Sequence, residues 1–189
     1  MSQQDLLRRV VAALDGLEID YMITGSIASS LQGEPRATHD LDVVVSIEES
    51  AIPGLLAAFP TPEFYHDDLA AREAVRDRTG FNVVETVEGD KIDFWLLTED
   101  PFDQGRFHRK YEEDVFGIRL KVSAPEDTIL QKLRWANLSG GSEKLYGDAL
   151  RIYEVQCKSL DQGYLDEWAK ILSVDVLLER IRREAEWIE

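Results

Sequence analysis

The sequence predicts an α+β fold in which a mixed β-sheet is flanked by helices and followed by a C-terminal helical tail. Two observations support this prediction. Up to about residue 122, short apolar runs rich in β-branched residues alternate with segments of helical spacing. From Ser123 onward the apolar residues recur at helical spacing only. The chain has no internal repeat, so a repeat array is not expected.

The N-terminal half alternates helices and strands. Its first apolar residues lie on one helix face until Gly16, and the run Tyr21–Ile23 is closed by the turn Thr24-Gly25-Ser26. Leu41, Val43 and Val45 alternate with Asp40, Asp42 and Val44 in a β-branched stretch, which indicates a strand with two different faces. The predicted elements are a helix over 6–14, a strand over 21–23, a helix over 27–31, a strand over 38–46 and a helix over 46–59.

A β-hairpin and then a series of helices are predicted for the rest of the chain. Glu88-Gly89-Asp90 separates two apolar runs, which is typical of a hairpin turn. Pro125 stands where proline is tolerated, early in a helix. The predicted elements are strands over 81–87 and 91–97, a strand pair over 115–122, and helices over 125–136, 145–155, 164–172 and 176–188.

The length allows one domain, or a core with a helical appendage, and makes two full-sized domains improbable. We predict a core over residues 1–122 and a helical region over residues 123–189 that packs on that core. The helical region is not expected to be independent, because each of its helices has an apolar face that needs neighbouring structure.

Composition and charge limit the classes of function. Of the 189 residues, 44% are apolar and 31% charged, and the formal net charge is −16. No run is long and apolar enough for a membrane span or a signal peptide, and the single cysteine, Cys157, cannot form an internal disulfide. We therefore expect a cytoplasmic protein. The negative charge disfavours a large nucleic-acid footprint and suits a small or cationic substrate.

Two carboxylates lie close together in the strand over residues 38–46. Asp40 and Asp42 are at positions i and i+2, so their side chains project from the same face and repel each other. A hard divalent ion with oxygen ligands, above all Mg²⁺, is the usual neutraliser of such a pair. The spacing therefore predicts a metal site.

A third carboxylate and a turn extend this site. If the strand that carries Asp93 lies beside the first, its side chain completes a set that holds two ions. Such ions activate an attacking hydroxyl and stabilise the leaving pyrophosphate of a nucleoside triphosphate. Gly25 allows close approach of a phosphate to the backbone, and Ser26 with the following helix start offers donors to it.

Each feature also has a plainer explanation. Gly25-Ser26 alone is more often an ordinary turn, and Asp40 with Asp42 can be an exposed strand face. Their order along the chain favours the functional interpretation, because a strand, a Gly-Ser turn, a short helix, an Asp-x-Asp strand and a later strand with one aspartate follow one another. The four tryptophans, Trp95, Trp135, Trp168 and Trp187, lie in apolar patterns, which indicates packing in the core.

This order of motifs resembles the polymerase-β-like nucleotidyltransferase superfamily. The matching residues are Thr24-Gly25-Ser26, with Thr24 where an apolar residue is commoner, and Asp40-Leu41-Asp42-Val43. Within the superfamily the chain is most similar to minimal nucleotidyltransferases related to AbiEii-type toxins. That similarity rests on the Arg36-x-Thr38-x-Asp40 form, on the helix containing Gln131-Lys132-Leu133, and on Asp148, expected to open a later helix.

The resemblance implies a role for each matching residue. Asp40, Asp42 and Asp93 would hold the metal ions, and Asp93 would also receive the proton of the acceptor hydroxyl. The nucleotide would be bound by the residues of the turn and by nearby polar and cationic side chains, namely Gly25, Ser26, Arg36, Thr38 and Lys132. An ion-paired or solvated side chain is an equally good explanation for Arg36 and Lys132.

The predicted function is therefore Mg²⁺-dependent transfer of a nucleoside monophosphate from a nucleoside triphosphate to an acceptor hydroxyl, with release of pyrophosphate. The toxin-like relatives imply tRNA or a protein as acceptor, and an antitoxin protein as a possible partner. One alternative is an antibiotic nucleotidyltransferase of the aminoglycoside type, whose polycationic acceptor an acidic protein would attract. Another is a nucleotide-binding or partner-binding module without catalysis, although the presence of all three acids argues against it.

Overall fold

The structure is a computed structural model of the chain, and it describes residues 1–35 and 38–186. The described residues fall into two compact units, one within 1–26 and 37–122 and the other within 27–36 and 123–189. Residues 27–35 thus group with the C-terminal helices, whereas the sequence predicted them as part of the N-terminal core. The predicted packing of the C-terminal region on that core stays a prediction.

The first unit is built on a mixed β-sheet. Within the described residues its strands are β1 (Asp20–Ile23), β2 (Asp40–Ser46), β3 (Phe64–Tyr65), β4 (Gly80–Glu85), β5 (Lys91–Leu96), β6 (Tyr111–Val115) and β7 (Ile118–Val122). They are ordered β3-β4-β5-β2-β1-β7-β6 across the sheet. The pairs β2–β5 and β1–β7 are parallel and the others antiparallel, which confirms the predicted fold class.

Strand alternation separates the core from the face that carries polar side chains. In β5 the side chains of Ile92, Phe94 and Leu96 are buried, whereas Lys91 and Trp95 lie on the other face with access to solvent. Phe94 packs between aromatic neighbours, with its ring centroid 5.1 Å from that of Phe81 and 6.3 Å from that of Phe59. The apolar half of β5 is therefore part of the core of this unit.

Helices of the first unit pack their apolar residues and are capped by polar ones. In α1 (Gln3–Gly16) every buried side chain is apolar, and the Ser2 hydroxyl accepts the N–H of Asp5 at the N-cap. Asp67 caps the helix over residues 68–77, and Asp100 caps the helix over residues 101–108, in the same way. The remaining helices here are α3 (Ile52–Ala57), α4 (Asp68–Asp77) and α5 (Pro101–His108), and α2 (Gly25–Gln32) begins in this unit.

The second unit is helical within the described residues. Besides the later part of α2, it contains α6 (Pro125–Leu138), α7 (Glu143–Gln156), α8 (Gln162–Ile171) and α9 (Asp175–Glu184). Pro125 occupies the first turn of α6, as predicted. Asp148 lies in the middle of α7, so the prediction that it opens a helix is wrong. Across residues 1–35 and 38–186, no helix is long and apolar enough to cross a membrane.

Some predicted element boundaries were wrong. The helix expected over 46–59 is reduced to a 3₁₀ turn (Glu49–Ala51) and α3, because Ser46 continues β2 and Pro53 is accommodated only in a first helical turn. The short strand β3 and the helices α4 and α5 were not predicted. In α4 the buried residues are only Ala71 and Ala74, too small to give an apolar period.

Candidate active site

β2 presents the first two predicted acids. Asp40 is exposed and Asp42 half-buried, while Leu41 and Val43 between and after them are buried in the core. Thr38 precedes the strand, and its hydroxyl accepts the N–H of Asp40 at 3.2 Å. In this structure Thr38 therefore fixes the start of the acidic strand.

Asp93 lies beside this pair on the neighbouring strand. β5 runs parallel to β2, and their register places Asp93 opposite Asp42 and Lys91 opposite Asp40. The Asp93 side chain is 16% exposed, so it is much less solvated than that of Asp40. The structure thus brings the three predicted carboxylates together on adjacent strands.

Lys91 supplies positive charge to this acidic cluster. Its Nζ lies 2.8 Å from Asp93 Oδ2 and 3.8 Å from Asp40 Oδ1. The hydrogen bond to Asp93 and the charges of the acids raise the pKa of Lys91, so it is an ammonium group. Burial raises the pKa of Asp93; Lys91 opposes this shift, and the charges of Asp42 and Asp40 add to it.

The donor set fits a hard divalent cation in its chemistry. Carboxylate oxygens are the ligands that Mg²⁺ prefers, and two of these carboxylates already attract one cationic group. In the described part of the chain, however, no three Asp, Glu, His or Cys side chains are arranged to hold a metal ion. Metal binding at Asp40, Asp42 and Asp93 stays a prediction, in which the ion would compete with the Lys91 ammonium for two of these carboxylates.

Gly25 lies against the carboxylate of Asp42. It has φ +62°, and a Cβ added there would overlap Asp42 Oδ2, so both its backbone conformation and the available space favour glycine. The N–H of Thr24 donates to the carbonyl of Asp42 at 3.0 Å, which joins the turn to β2. Gly25 and Ser26 form the first turn of α2, where backbone N–H groups favour an anion.

Trp95 is a site residue that the sequence analysis missed. Its indole N–H donates to Asp42 Oδ1 at 3.2 Å, and 44% of its surface is exposed, so the prediction that it packs in the core was wrong. The period-2 pattern of Lys91, Asp93 and Trp95 on one strand is the signal that could have placed the three side chains on one face. Trp135 is also exposed, and Trp187 lies outside the described residues.

Two further predicted nucleotide-binding residues are Lys132, in the second unit, and Arg36, outside the described residues. The Nζ of Lys132 forms a buried ion pair with Asp148 Oδ2 at 2.7 Å. Because the Asp148 carboxylate neutralises the Lys132 ammonium, Lys132 is less available to bind a phosphate.

Comparisons by sequence identify no relative, because neither a protein-family model nor a curated protein sequence matches the chain. Solved structures do match. The antibiotic-resistance factor ANT(2'')-Ia in solution aligns with a TM-score of 0.62 at 17% identity, covering 96% of this chain and 97% of that one. The chain has a nucleotidyltransferase fold.

Two further structures share the nucleotidyltransferase fold with this chain. The crystal structure of ANT(2'')-Ia in complex with adenylyl-2''-tobramycin has a TM-score of 0.62 at 16% identity, covering 92% and 98% of the two chains. A nucleotidyltransferase-like antigenic protein from Paracoccidioides brasiliensis has a TM-score of 0.58 at 18% identity, covering 99% and 95%. At these identities the nucleotidyltransferase fold is shared, and the activity is a separate question.

Proposed function

We propose that the protein is a nucleotidyltransferase that moves a nucleoside monophosphate from a nucleoside triphosphate to an acceptor hydroxyl. The observation that carries this proposal is the convergence on Asp42 of two neighbours, because the β2–β5 register sets Asp93 beside Asp42 and the turn after β1 places Gly25 against the Asp42 carboxylate. Acidic side chains thus adjoin a helix start suited to phosphate. The shared fold supports the same activity.

The proposed reaction is an in-line phosphoryl substitution. The acceptor oxygen forms a bond to the α-phosphorus, the bond from that phosphorus to the oxygen bridging to the β-phosphate breaks, and pyrophosphate leaves. The acceptor proton passes to a base, for which Asp93 is the candidate because burial raises its pKa and so strengthens it as a base. Bound Mg²⁺, held by Asp40, Asp42 and Asp93, would supply charge neutralisation to the phosphates.

Binding of the triphosphate is assigned to the Gly25 turn. The first N–H groups of α2 and the Ser26 side chain would contact phosphate oxygens, and Gly25 would let the backbone approach them. Thr38 contributes by fixing the backbone of Asp40. Arg36 and Lys132 stay candidate counter-charges, with Lys132 the weaker because of its ion pair with Asp148.

The acceptor separates two versions of this function. A tRNA or protein acceptor, with an antitoxin protein as partner in the cytoplasm, follows from the similarity to AbiEii-type toxins. A small polycationic acceptor of the aminoglycoside type follows from the net charge of −16, and the structural match to ANT(2'')-Ia agrees with it. The charge repels polyanionic tRNA, so we favour the small cationic acceptor.

A labelling experiment tests the proposed function. The protein is incubated with Mg²⁺, each nucleoside triphosphate labelled at the α-phosphate, and one of three acceptors: total tRNA, a protein extract or a panel of aminoglycosides. We expect label in one acceptor class, and we expect Asp42→Asn to lower the rate at least about a thousandfold because it removes one proposed metal ligand. Circular dichroism of the variant checks that it remains folded.

Two outcomes would contradict the proposal. If no acceptor is labelled although the triphosphate binds, the chain is a binding module without catalysis. If Asp42→Asn transfers label at the wild-type rate, then Asp42 is not part of the reaction centre, and the role assigned to the acidic cluster is wrong.

A further inference from the structure

The two sides of Asp42 differ in what they present. In the sheet, β1 and β5 flank β2 on opposite sides. The Gly25 turn that follows β1 lies against Oδ2 of Asp42, whereas the Trp95 indole from β5 donates to Oδ1. If the triphosphate binds at the Gly25 turn, then Trp95 lies on the opposite side of the reacting centre, where an acceptor would approach.

The surroundings of Trp95 keep its ring in place but accessible. A Cβ at Gly80 on the adjoining strand would lie 2.8 Å from Cε3 of the indole, so glycine there lets the ring lie close to the β4 backbone. The Nε1 hydrogen bond to Asp42 fixes the opposite edge of the ring. Nevertheless 44% of the residue is exposed, which leaves aromatic surface beside the carboxylates.

The polar groups around this ring indicate the chemistry of its ligand. Asn82 is exposed and lies opposite Asp93 in the β4–β5 register, so an amide adjoins the acidic cluster on the strand next to that of Trp95. These groups accept hydrogen bonds from hydroxyl and ammonium groups, and an aromatic face attracts cations and the apolar face of a ring. On this face of β2 and β5, three carboxylates stand against the single ammonium of Lys91 within the described residues.

We propose that Trp95, with Gly80 beneath it and Asn82 beside it, is the platform that seats the acceptor, and that the acceptor is a cationic amino sugar. The sugar ring lies on the indole, its ammonium groups face the carboxylates, and its hydroxyl faces Asp93. This inference rests on the proposed nucleotidyl transfer and specifies the residues that would seat its acceptor. A nucleic acid is disfavoured because the net charge of −16 repels its phosphates.

Two substitutions of Trp95 separate stacking from the hydrogen bond to Asp42. Trp95→Phe and Trp95→Leu both lose the indole N–H, but only the phenylalanine keeps an aromatic face. Any effect through Asp42 is therefore equal in the two variants, and the difference between them measures the platform. Trp135→Leu is the matched control, because Trp135 has similar exposure, 48%, and belongs to the other unit.

The test measures binding of tobramycin, maltose, adenosine and MgATP by isothermal titration calorimetry to the wild type and the three variants. We expect the wild type to bind tobramycin more tightly than maltose or adenosine. Trp95→Leu should weaken tobramycin binding about tenfold and Trp95→Phe about threefold or less, the range that aromatic and cation–π contacts supply. Trp135→Leu should match the wild type.

The MgATP measurements distinguish the failure of this inference from that of the proposed function. Both Trp95 variants should bind MgATP with equal affinity, and in the transfer assay the acceptor KM should differ between them while kcat does not. The platform proposal is wrong if the wild type binds no tobramycin, or if it binds maltose or adenosine more tightly than tobramycin. It is also wrong if Trp95→Leu binds tobramycin with the affinity of the wild type. If the wild type neither binds MgATP nor transfers label, the proposed function fails instead.

Discussion

Two clusters of aspartate and lysine lie in the same sheet, and they differ in their balance of charge. On β1, the carboxylate of Asp20 meets two ammonium groups, with Lys121 Nζ at 2.9 Å and Lys110 Nζ at 3.0 Å. On β2 and β5 the proportion is reversed, because Lys91 alone faces Asp40, Asp42 and Asp93 among the described residues. One cluster has surplus positive charge and the other surplus negative charge.

The pKa values of the two clusters shift in opposite directions. Burial raises the pKa of Asp20, but hydrogen bonds and charges from Lys121 and Lys110 outweigh it and hold the pKa below the ordinary value. Burial also raises the pKa of Asp93, and there the neighbouring acids add to the rise. A carboxylate whose charge is exceeded by that of neighbouring ammonium groups stabilises the fold. A group of carboxylates with too few ammonium groups beside it attracts a further cation. Charge balance therefore distinguishes the structural cluster from the candidate site.

The largest effect is expected at the glycine that adjoins the acidic cluster. Gly25→Ala would place a Cβ onto the Asp42 carboxylate at φ +62°, so we expect a loss of roughly 2–4 kcal/mol in the free energy of unfolding and loss of nucleotidyl transfer. Gly89→Ala is the control, because Gly89 has φ +78° with open space around it and should lose only about 1 kcal/mol. Urea unfolding measures both, and equal losses would show that the contact with Asp42 is unimportant.

A smaller effect should follow from removing the cation of the acidic cluster. Lys91→Met leaves three carboxylates without their ammonium, so we expect a loss of about 1–2 kcal/mol in the free energy of unfolding when divalent ions are removed with EDTA. Added Mg²⁺ should restore more of this stability in the variant than it adds to the wild type, since the ion no longer competes with Lys91.

Lys110→Met is the matched control for this measurement. It removes an ammonium from the Asp20 cluster, where one carboxylate keeps a second lysine, so added Mg²⁺ should stabilise it no more than it stabilises the wild type. If Mg²⁺ stabilises both variants alike, or neither, then the surplus of negative charge around Asp93 does not bind the ion.

The smallest effect contrasts one aspartate from each cluster. At pH 7 we expect Asp20→Asn to lose about 1 kcal/mol in the free energy of unfolding, because half-exposed ion pairs are screened by solvent, and Asp93→Asn to lose nothing or gain roughly 1 kcal/mol or less.

The pH dependence of these variants has a definite sign. The pKa of Asp20 is lower in the folded state, so its contribution is present above the ordinary value of 3.8 and is lost as pH falls through the folded pKa. The pKa of Asp93 is higher when folded, so ionised Asp93 costs stability, and this cost appears as pH rises through its folded pKa. Unfolding free energies measured from pH 2 to 8 check both, and a loss of stability in Asp93→Asn would contradict the comparison.

The sequence predicted much of the fold because it depends on local patterns. Alternation identified β2, an apolar run after a hairpin turn identified β5, and helical spacing identified α1 and α6. The order of strands across the sheet is a non-local property, so the position of Asp93 beside Asp42 entered the prediction only as a condition. Short helices such as α4 were missed because their buried residues are alanines.

The predicted site was incomplete for a related reason. Acids at regular spacing are conspicuous in a sequence, but the residues that contact them depend on the register between strands. Neither the ion pairs of Lys91 nor the indole hydrogen bond of Trp95 could therefore be predicted from spacing. Lys132 shows the converse, because a cation that seemed available for phosphate pairs with Asp148, sixteen positions further along the chain. Side chains that complete a site from a neighbouring strand can be identified only from the tertiary structure.

The alternation along β5 has a consequence for how this protein can diverge. Ile92, Phe94 and Leu96 belong to the core, whereas Lys91, Asp93 and Trp95 belong to the opposite face. Substitutions at 91 and 95, or at Asn82 opposite Asp93, therefore leave the packing of the interior untouched. Substitutions at these positions can therefore change the polar face of the sheet without altering its core, whereas an insertion of one residue in the strand would exchange the two faces.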